Sequence, residues 1–200
     1  MSAKNYIPIA ESQGIFKDRG SKFFAYLYPF KNVDDLKSIL NHLKKSNSKA
    51  VHFCFAYRIG NENNIIRVND DGEPSGSAGK PIFGQIEKFS ATDILIVVVR
   101  YFGGTLLGVP GLINAYKNAA NDALLNTKLI EKINYIKLHL TFSYEIENFV
   151  MILLKKINPE KIKFLNKTEI EIEIESIKEE FFYAEANKIW QLEVKKIILQ

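Results

Sequence analysis

The sequence has 200 residues, enough for one large domain or two small ones, and its hydrophobic content of 46% is ample for packed cores. The formal net charge of +4 falls short of the strongly basic composition that by itself would indicate nucleic-acid binding. A single cysteine, Cys54, excludes an intrachain disulfide and any multi-cysteine zinc site. The chain shows neither a signal-peptide pattern nor an apolar run of membrane length, so we expect a cytoplasmic protein with no membrane association.

The N-terminal half of the chain predicts a mixture of strands and helices. Imperfect alternation over residues 15–30 indicates two strands that turn at 18–20. Asn32 is a suitable N-cap for a helix over residues 33–45, whose apolar positions form one face. The remaining predicted elements are a hairpin of strands 51–59 and 65–68 across G-N-E-N-N, a short helix over 81–89, a buried strand over 94–100 and a long helix over 110–126.

Two polar, glycine-rich loops flank the apolar strand, over residues 69–80 and 100–111. They hold most of the glycines of the chain. Because glycine permits backbone conformations closed to other residues and lets a ligand approach the main chain, such loops beside a rigid strand indicate a binding site. Turn formation alone is the alternative.

From residue 133 the pattern restarts in the order β-α-β-β-α-β, which predicts a ferredoxin-like unit. We place the boundary in the polar stretch 127–132 and therefore expect two domains, residues 1–130 and 131–200. The first part holds 16 Lys and Arg against 11 Asp and Glu, whereas the second holds 11 against 12. The basic excess of the first part is compatible with a phosphate-bearing partner.

Four segments of the first part resemble the IMPACT/YigZ family. They are D-D-G-E-P-S-G-S-A-G-K-P, V-V-R-Y-F-G-G-T-L-L-G-V-P-G-L-I-N-A-Y, H-F-C-F-A-Y-R-I-G and, more weakly, R-G-S-K-F. The chain departs from the family pattern at Val109 and Pro110, where a small residue and glycine are usual. Proline nevertheless suits the first turn of a helix.

The resemblance implies an α+β protein, with a ribosomal protein S5 domain 2-like domain followed by a ferredoxin-like domain that resembles the last domain of elongation factor G. In the eukaryotic branch of the family it implies regulation of translation through competition for an activator of an initiation-factor kinase. We therefore expect a translation-associated protein that contacts RNA, the ribosome or a translation factor through the 69–111 loops. The sequence names neither that partner nor the oligomeric state.

The expected binding residues lie in the two loops and on the strand upstream of them. They are His52, Arg58, Asp70, Asp71, Glu73, Ser75, Ser77, Gly79, Lys80, Arg100, Tyr101, Phe102, Gly103, Gly104, Gly108 and Gly111.

Arg100, Tyr101 and Phe102 place a bidentate donor and two aromatic rings at a strand terminus, which fits single-stranded RNA or a nucleotide. In the alternative, Arg100 pairs with Asp71 or Glu73 and Phe102 belongs to the core. We expect Arg100→Ala to preserve the fold and to weaken binding of an anionic partner.

The acidic residues Asp70, Asp71 and Glu73 have two further interpretations. Clustered carboxylates can bind a divalent cation, but the loop lacks the ligand spacing of an EF-hand, and we assign no metal and no cofactor. We expect them instead to accept hydrogen bonds from loop amides or a basic partner.

The sequence favours a binding protein over an enzyme. His52 and Cys54 share a face of one strand, but the thiol has apolar neighbours, so we expect a packed histidine and a buried thiol. The enzyme alternative is a small-molecule phosphotransferase or hydrolase with the glycine-rich loops as its phosphate site, although these loops match neither a Walker loop nor a dinucleotide fingerprint.

Overall fold

A computed structural model describes residues 4–60 and 64–197 of the chain. The chain divides after Lys132 into an N-terminal unit and a C-terminal unit, each with its own buried core. Within the described residues, no helix is long and apolar enough to cross a bilayer.

The N-terminal unit contains seven described strands and three described α-helices. They are β1 (Tyr6–Pro8), β2 (Ser12–Asp18), β3 (Ser21–Pro29), α1 (Asp35–Ser46), β4 (His52–Ile59), β5 (Ile65–Asn69), α2 (Gly79–Lys88), β6 (Ile94–Tyr101), α3 (Gly108–Leu125) and β7 (Leu129–Glu131).

Five of these strands form an antiparallel sheet in the order β2-β3-β6-β4-β5, with the apolar strand β6 at its centre. Because successive side chains of a strand point to opposite faces, β6 supplies both cores of the unit. Ile94, Ile96 and Val98 pack with residues of α2 and α3, whereas Leu95, Val97 and Val99 pack with residues of α1. The carboxyl end of β6 therefore presents Arg100 to the α3 side and Tyr101 to the α1 side.

Small residues let α3 lie directly on the sheet. Ala115, Ala119 and Ala123 are fully buried on the face of the helix that meets β2 and β3. Gly14 of β2 is required at this contact, since a Cβ there would lie 2.3 Å from the backbone nitrogen of Ala123.

The C-terminal unit has the elements β8 (Tyr135–Thr141), α4 (Glu147–Ile157), β9 (Lys161–Phe164), β10 (Glu169–Glu175), α5 (Glu179–Ala186) and β11 (Glu193–Ile197), with short 3₁₀ turns before both helices. The strands pair antiparallel in the order β11-β8-β10-β9, the arrangement of a ferredoxin-like βαββαβ unit. The predicted α+β class is confirmed.

Several predicted boundaries differ from the structure. The last helix ends at Ala186 instead of continuing to residue 191, and Gln191 has a positive φ of 63°. Asn32 caps the turn before α1, where its side-chain oxygen accepts the backbone N–H of Asp34, and the helix itself begins at Asp35. The predicted hairpin turn at 61–63 lies outside the described residues.

One element was absent from the prediction, an antiparallel ribbon formed by β1 and β7. The predicted polar boundary at 127–132 includes β7, which is paired with the start of the chain. The three-residue strands of this ribbon are too short to show alternation in the sequence.

Candidate functional site

The acidic loop between β5 and α2 is organised around Asp70. Its carboxylate accepts the backbone N–H groups of Gly76, Ala78 and Gly79 at 2.8, 3.0 and 2.8 Å. Burial acts to raise the pKa of Asp70, but these hydrogen bonds and the charge of Lys80 outweigh it and lower the pKa. Asp70 thus closes the loop and satisfies amides at the start of α2, as expected for a carboxylate that accepts from loop amides.

Asp71 joins the same loop to strand β4. Its carboxylate accepts the backbone N–H of Phe53 at 2.7 Å, and its backbone carbonyl lies 2.7 Å from Nδ1 of His52. A carbonyl only accepts, so this contact requires the proton on Nδ1. The backbone of Asp71 and Gly72 has positive φ values of 42° and 89°, which explains the glycine at the second position.

The third acidic residue, Glu73, lies in a buried network with Arg100 and Tyr116. Oε1 of Glu73 is 2.6 Å from Nη1 of Arg100 and 2.8 Å from the hydroxyl of Tyr116. The side chains of Glu73 and Arg100 are only 4% and 6% exposed. The guanidinium also lies over the rings of Phe23 and Phe102, 5.5 and 5.7 Å from their centroids.

Cys54 extends this network and is fully buried, as expected from its apolar neighbours. Its thiol lies 3.0 Å from the backbone carbonyl of Asp70 and 3.3 Å from the hydroxyl of Tyr116. Burial raises the pKa values of both the Cys54 thiol and the Tyr116 hydroxyl, so both groups are neutral near pH 7. This environment does not activate the thiol.

The glycine-rich loop packs against the turn between β2 and β3. A Cβ on Gly103 would lie 2.0 Å from the backbone carbon of Gly20, and the N–H of Gly103 donates to Oγ of Ser21 at 3.1 Å. This contact joins the R-G-S-K-F segment to the loop. Gly104 and Gly108 are required for another reason, their positive φ values of 87° and 69°.

The structure does not gather all of the predicted site residues. Arg58 pairs with Ile94 at the opposite end of β4 from His52, which pairs with Arg100. Ser77 is buried and donates to the carbonyl of Pro74 at 2.6 Å, whereas Ser75 is exposed. Within the described ranges, no group of three or more His, Cys, Asp or Glu residues is arranged to hold a metal ion.

In the structure Arg100 pairs with Glu73, as in the second of the two interpretations given for this arginine. The structure also reveals roles that sequence analysis missed. Tyr116 was not among the expected binding residues, and nothing in its position on the predicted helix indicates that its hydroxyl meets Glu73. The side chain of Asn47 likewise accepts the Tyr101 hydroxyl at 2.9 Å on the α1 side of the sheet.

The exposed residues of the two loops include apolar and basic side chains beside the polar residues Asp71, Ser75 and Thr105. Leu106 is 81% exposed, and Val109 and Ile113 are exposed on the first turns of α3. Val109 and Ile113 are four residues apart and share one side of α3, and Leu106 precedes the helix. We call Leu106, Val109 and Ile113 the loop surface. Lys80 is exposed at the start of α2.

Comparison with known proteins gives a consistent set of relatives. A family model described as the Impact N-terminal domain matches residues 19–124. The IMPACT family member YvyE of Bacillus subtilis (strain 168) is 35% identical over 152 residues, which are 72% of this chain and 70% of the relative. The IMPACT family member YigZ of Escherichia coli (strain K12) is 35% identical over 120 residues, which are 59% of each protein. This chain thus spans less than two thirds of the length of YigZ.

Solved structures add to this comparison. One described as a hypothetical protein covers 100% of both chains, with 24% identity and a TM-score of 0.65, which supports the fold. The two-domain translational regulator Yih1 matches 60% of this chain and 48% of its own, with 23% identity and a TM-score of 0.41. The second score is too low to support an argument about shared structure.

Proposed function

This chain belongs to the IMPACT family, and we propose on that ground that it is a translation-associated regulatory protein that binds its partner through the loop surface. The partner is the ribosome or a protein bound to it. The N-terminal unit, which the family model matches, carries this surface, and we propose that it is the S5 domain 2-like domain of the family.

One observation supports the proposal: the charged side chains of Asp70, Glu73 and Arg100 make contacts within the protein, while apolar side chains of the loops are left exposed. Asp70 binds three loop amides, and Glu73 is paired with Arg100 and Tyr116. Side chains held by these hydrogen bonds maintain the shape of the loops. To transfer a proton to or from a substrate, Asp70 or Glu73 would first have to break them. Exposed apolar side chains, of which Leu106 is 81% exposed, are suited to contact a protein partner.

The experiment compares ribosome co-sedimentation of the wild type with that of Leu106→Asp and of Val109→Asp. Each of these two substitutions removes an apolar anchor and introduces a charge, so each variant should associate with the ribosome about 10-fold or more weakly than the wild type. Ile177→Asp is the matched control, because Ile177 is 79% exposed in the C-terminal unit and its substitution introduces the same charge. Circular dichroism and urea midpoints verify that all three variants are folded.

Two results would contradict the proposal. Equal co-sedimentation of Leu106→Asp, Ile177→Asp and the wild type would show that the loop surface is not the contact. Turnover of ATP with Mg²⁺ by the purified protein, at a rate reduced by substitutions at Gly104 or Gly108, would favour the phosphotransferase alternative instead.

A further inference from the structure

The α1 side of the five-stranded sheet carries an aromatic cleft at the start of β3, beside Asn47 at the C-terminal end of α1. The cleft has a volume of about 520 Å³. Its walls include Phe24 and Tyr26 of β3, Tyr101 at the end of β6, and Phe102 and Lys22. Phe24 and Tyr101 are half-buried and Phe102 is 48% exposed, so ring surface is accessible.

The aromatic rings are held in place by the protein. Phe24 and Tyr101 pack edge to face with centroids 5.7 Å apart, and the hydroxyl of Tyr101 donates to the side chain of Asn47. Fixed rings with open faces provide a stacking surface for planar groups and lose little conformational freedom when a ligand binds.

Lys22 lines this cleft, and Lys17 is its neighbour on the adjacent strand β2. Lys17 and Lys22 lie directly opposite each other in the β2–β3 register and therefore share the face that carries Phe24. Among the described residues neither lysine forms an ion pair. Asp18 lies on the other face by strand alternation, and no acidic residue lines the cleft.

Two like charges directly opposite on adjacent strands destabilise a hairpin, and nothing in the fold explains why Lys17 and Lys22 are paired. An anion bound between them would offset this repulsion. Glu11 lines a smaller cleft that adjoins this one and shares Tyr26 and Asn47 with it, so the acidic side chain and the two lysines lie at opposite ends.

We propose that this cleft binds single-stranded RNA, with bases stacked on Phe24, Tyr101 and Phe102 and backbone phosphates held by Lys17 and Lys22. Stacking aromatics combined with cations that follow a backbone are the features that single-stranded nucleic-acid sites share. The volume is in the range that accommodates a nucleotide-sized group. This site lies on the α1 side of the sheet and is independent of the loop surface.

The test measures fluorescence anisotropy of a labelled oligouridylate of about twelve nucleotides with the full chain at several salt concentrations. Lys17→Ala/Lys22→Ala should weaken binding and reduce the slope of log K against log salt by about 1.4, since each single-strand phosphate contact contributes about 0.7. Phe24→Leu should weaken binding by about 5- to 150-fold, the range that corresponds to loss of one stacked base. Lys31→Ala/Lys37→Ala removes two exposed lysines elsewhere on the unit and should keep the wild-type slope.

A second measurement covers the case in which Phe24→Leu does not fold. Crosslinking of the wild type to an oligonucleotide containing 4-thiouridine should attach RNA to peptides that contain Phe24 or Tyr101. Attachment confined to other peptides would overturn the inference.

Failure of this inference can be distinguished from failure of the proposed function. Absence of oligouridylate binding, or equal competition by duplex RNA, would contradict the proposal that the cleft binds single-stranded RNA. Neither result would bear on the proposal that the loop surface binds a partner. Loss of RNA binding in Leu106→Asp but not in Lys17→Ala/Lys22→Ala would also overturn it. If the lysine variant lost ribosome binding while the wild type bound no free RNA, the occupant of the cleft would be a protein or folded ribosomal RNA, and either would contradict the inference.

Discussion

Removal of the Arg100 side chain should destabilise the fold of the N-terminal unit and not merely weaken the binding of a partner. Nη1 of Arg100 is 2.6 Å from Glu73, and both side chains are almost inaccessible to water. Deleting one partner of such a pair leaves the other charge buried, which typically costs about 3–5 kcal/mol. We therefore expect Arg100→Ala to lower the free energy of unfolding by about that amount, a large part of the roughly 5–15 kcal/mol that stabilises a typical domain.

The double variant Arg100→Met/Glu73→Gln provides the matched control. It removes both charges, keeps side chains of similar length, and leaves an oxygen that can accept from Tyr116. Replacement of a buried ion pair by neutral groups of similar volume is often close to neutral, so the double variant should be more stable than Arg100→Ala alone. The double-mutant cycle, completed with Glu73→Gln and Arg100→Met, isolates the coupling between the two side chains.

The assay is urea unfolding followed by circular dichroism, with the midpoints compared at constant m-value. The expectation from the sequence was the opposite, that Arg100→Ala preserves the fold and weakens an anionic partner. A variant with the wild-type midpoint and reduced partner affinity would refute the structural argument. It would show that the guanidinium of Arg100 serves a ligand.

Three further predictions follow from the packing and the hydrogen bonds. Gly14→Ala should destabilise the protein by about 1–3 kcal/mol or more, because its Cβ would collide with the backbone of α3. Gly84→Ala, which places its Cβ in open space on α2, should instead stabilise the protein by about 0.5–1 kcal/mol. Thermal unfolding compares the two variants. Because the pKa of Asp70 is lowered, its contribution to stability is complete above the ordinary aspartate pKa of 3.8 and is lost as the pH falls below that value. Asp70→Asn should therefore be less stable at neutral pH and should lose less stability on acidification through that range. The Cys54 thiol should react with iodoacetamide only as fast as the protein opens, so addition of urea below the midpoint should accelerate labelling; rapid labelling of the native protein would contradict its burial.

Local patterns were sufficient to predict most of the fold. In β10 isoleucine alternates with glutamate, and the period of two puts Ile170, Ile172 and Ile174 on one face, where all three are buried. The apolar run of β6 predicted the central strand, and its pairing with β3 and β4 confirms that position. Periods of 2 and 3.6 residues are properties of consecutive positions, so a sequence displays them directly.

The contacts of the candidate site could not be predicted in the same way, because they join residues far apart in the chain. Glu73 contacts Tyr116, which lies 43 positions further along the chain. Gly103, which follows the central strand β6, packs against Gly20 in the turn between β2 and β3. The glycines indicated that another segment of backbone packs closely against them, but they did not identify that segment. Similarly, the opposed lysines of the β2–β3 hairpin became apparent only from its register.

The C-terminal unit should not bind RNA through the face of its sheet that carries glutamates. On β10, Glu171 and Glu173 are opposite Lys163 and Lys161, and their charged groups lie 4.0 and 3.2 Å apart. These cross-strand pairs neutralise two carboxylates but leave no net positive surface, and Tyr135 and His139, the aromatic residues that β8 places on this face, each lie directly opposite a glutamate.

Because the unit has its own core, a fragment of residues 131–200 can be examined separately once circular dichroism shows that it is folded. We expect no measurable affinity of this fragment for the oligouridylate under conditions in which the full chain binds. Glu171→Lys/Glu173→Lys would replace two carboxylates by lysines and should raise any residual affinity through added positive charge. Tight binding by the fragment, unaltered by this double substitution, would show that RNA recognition in this unit does not depend on the charge of the sheet and that the electrostatic argument is wrong.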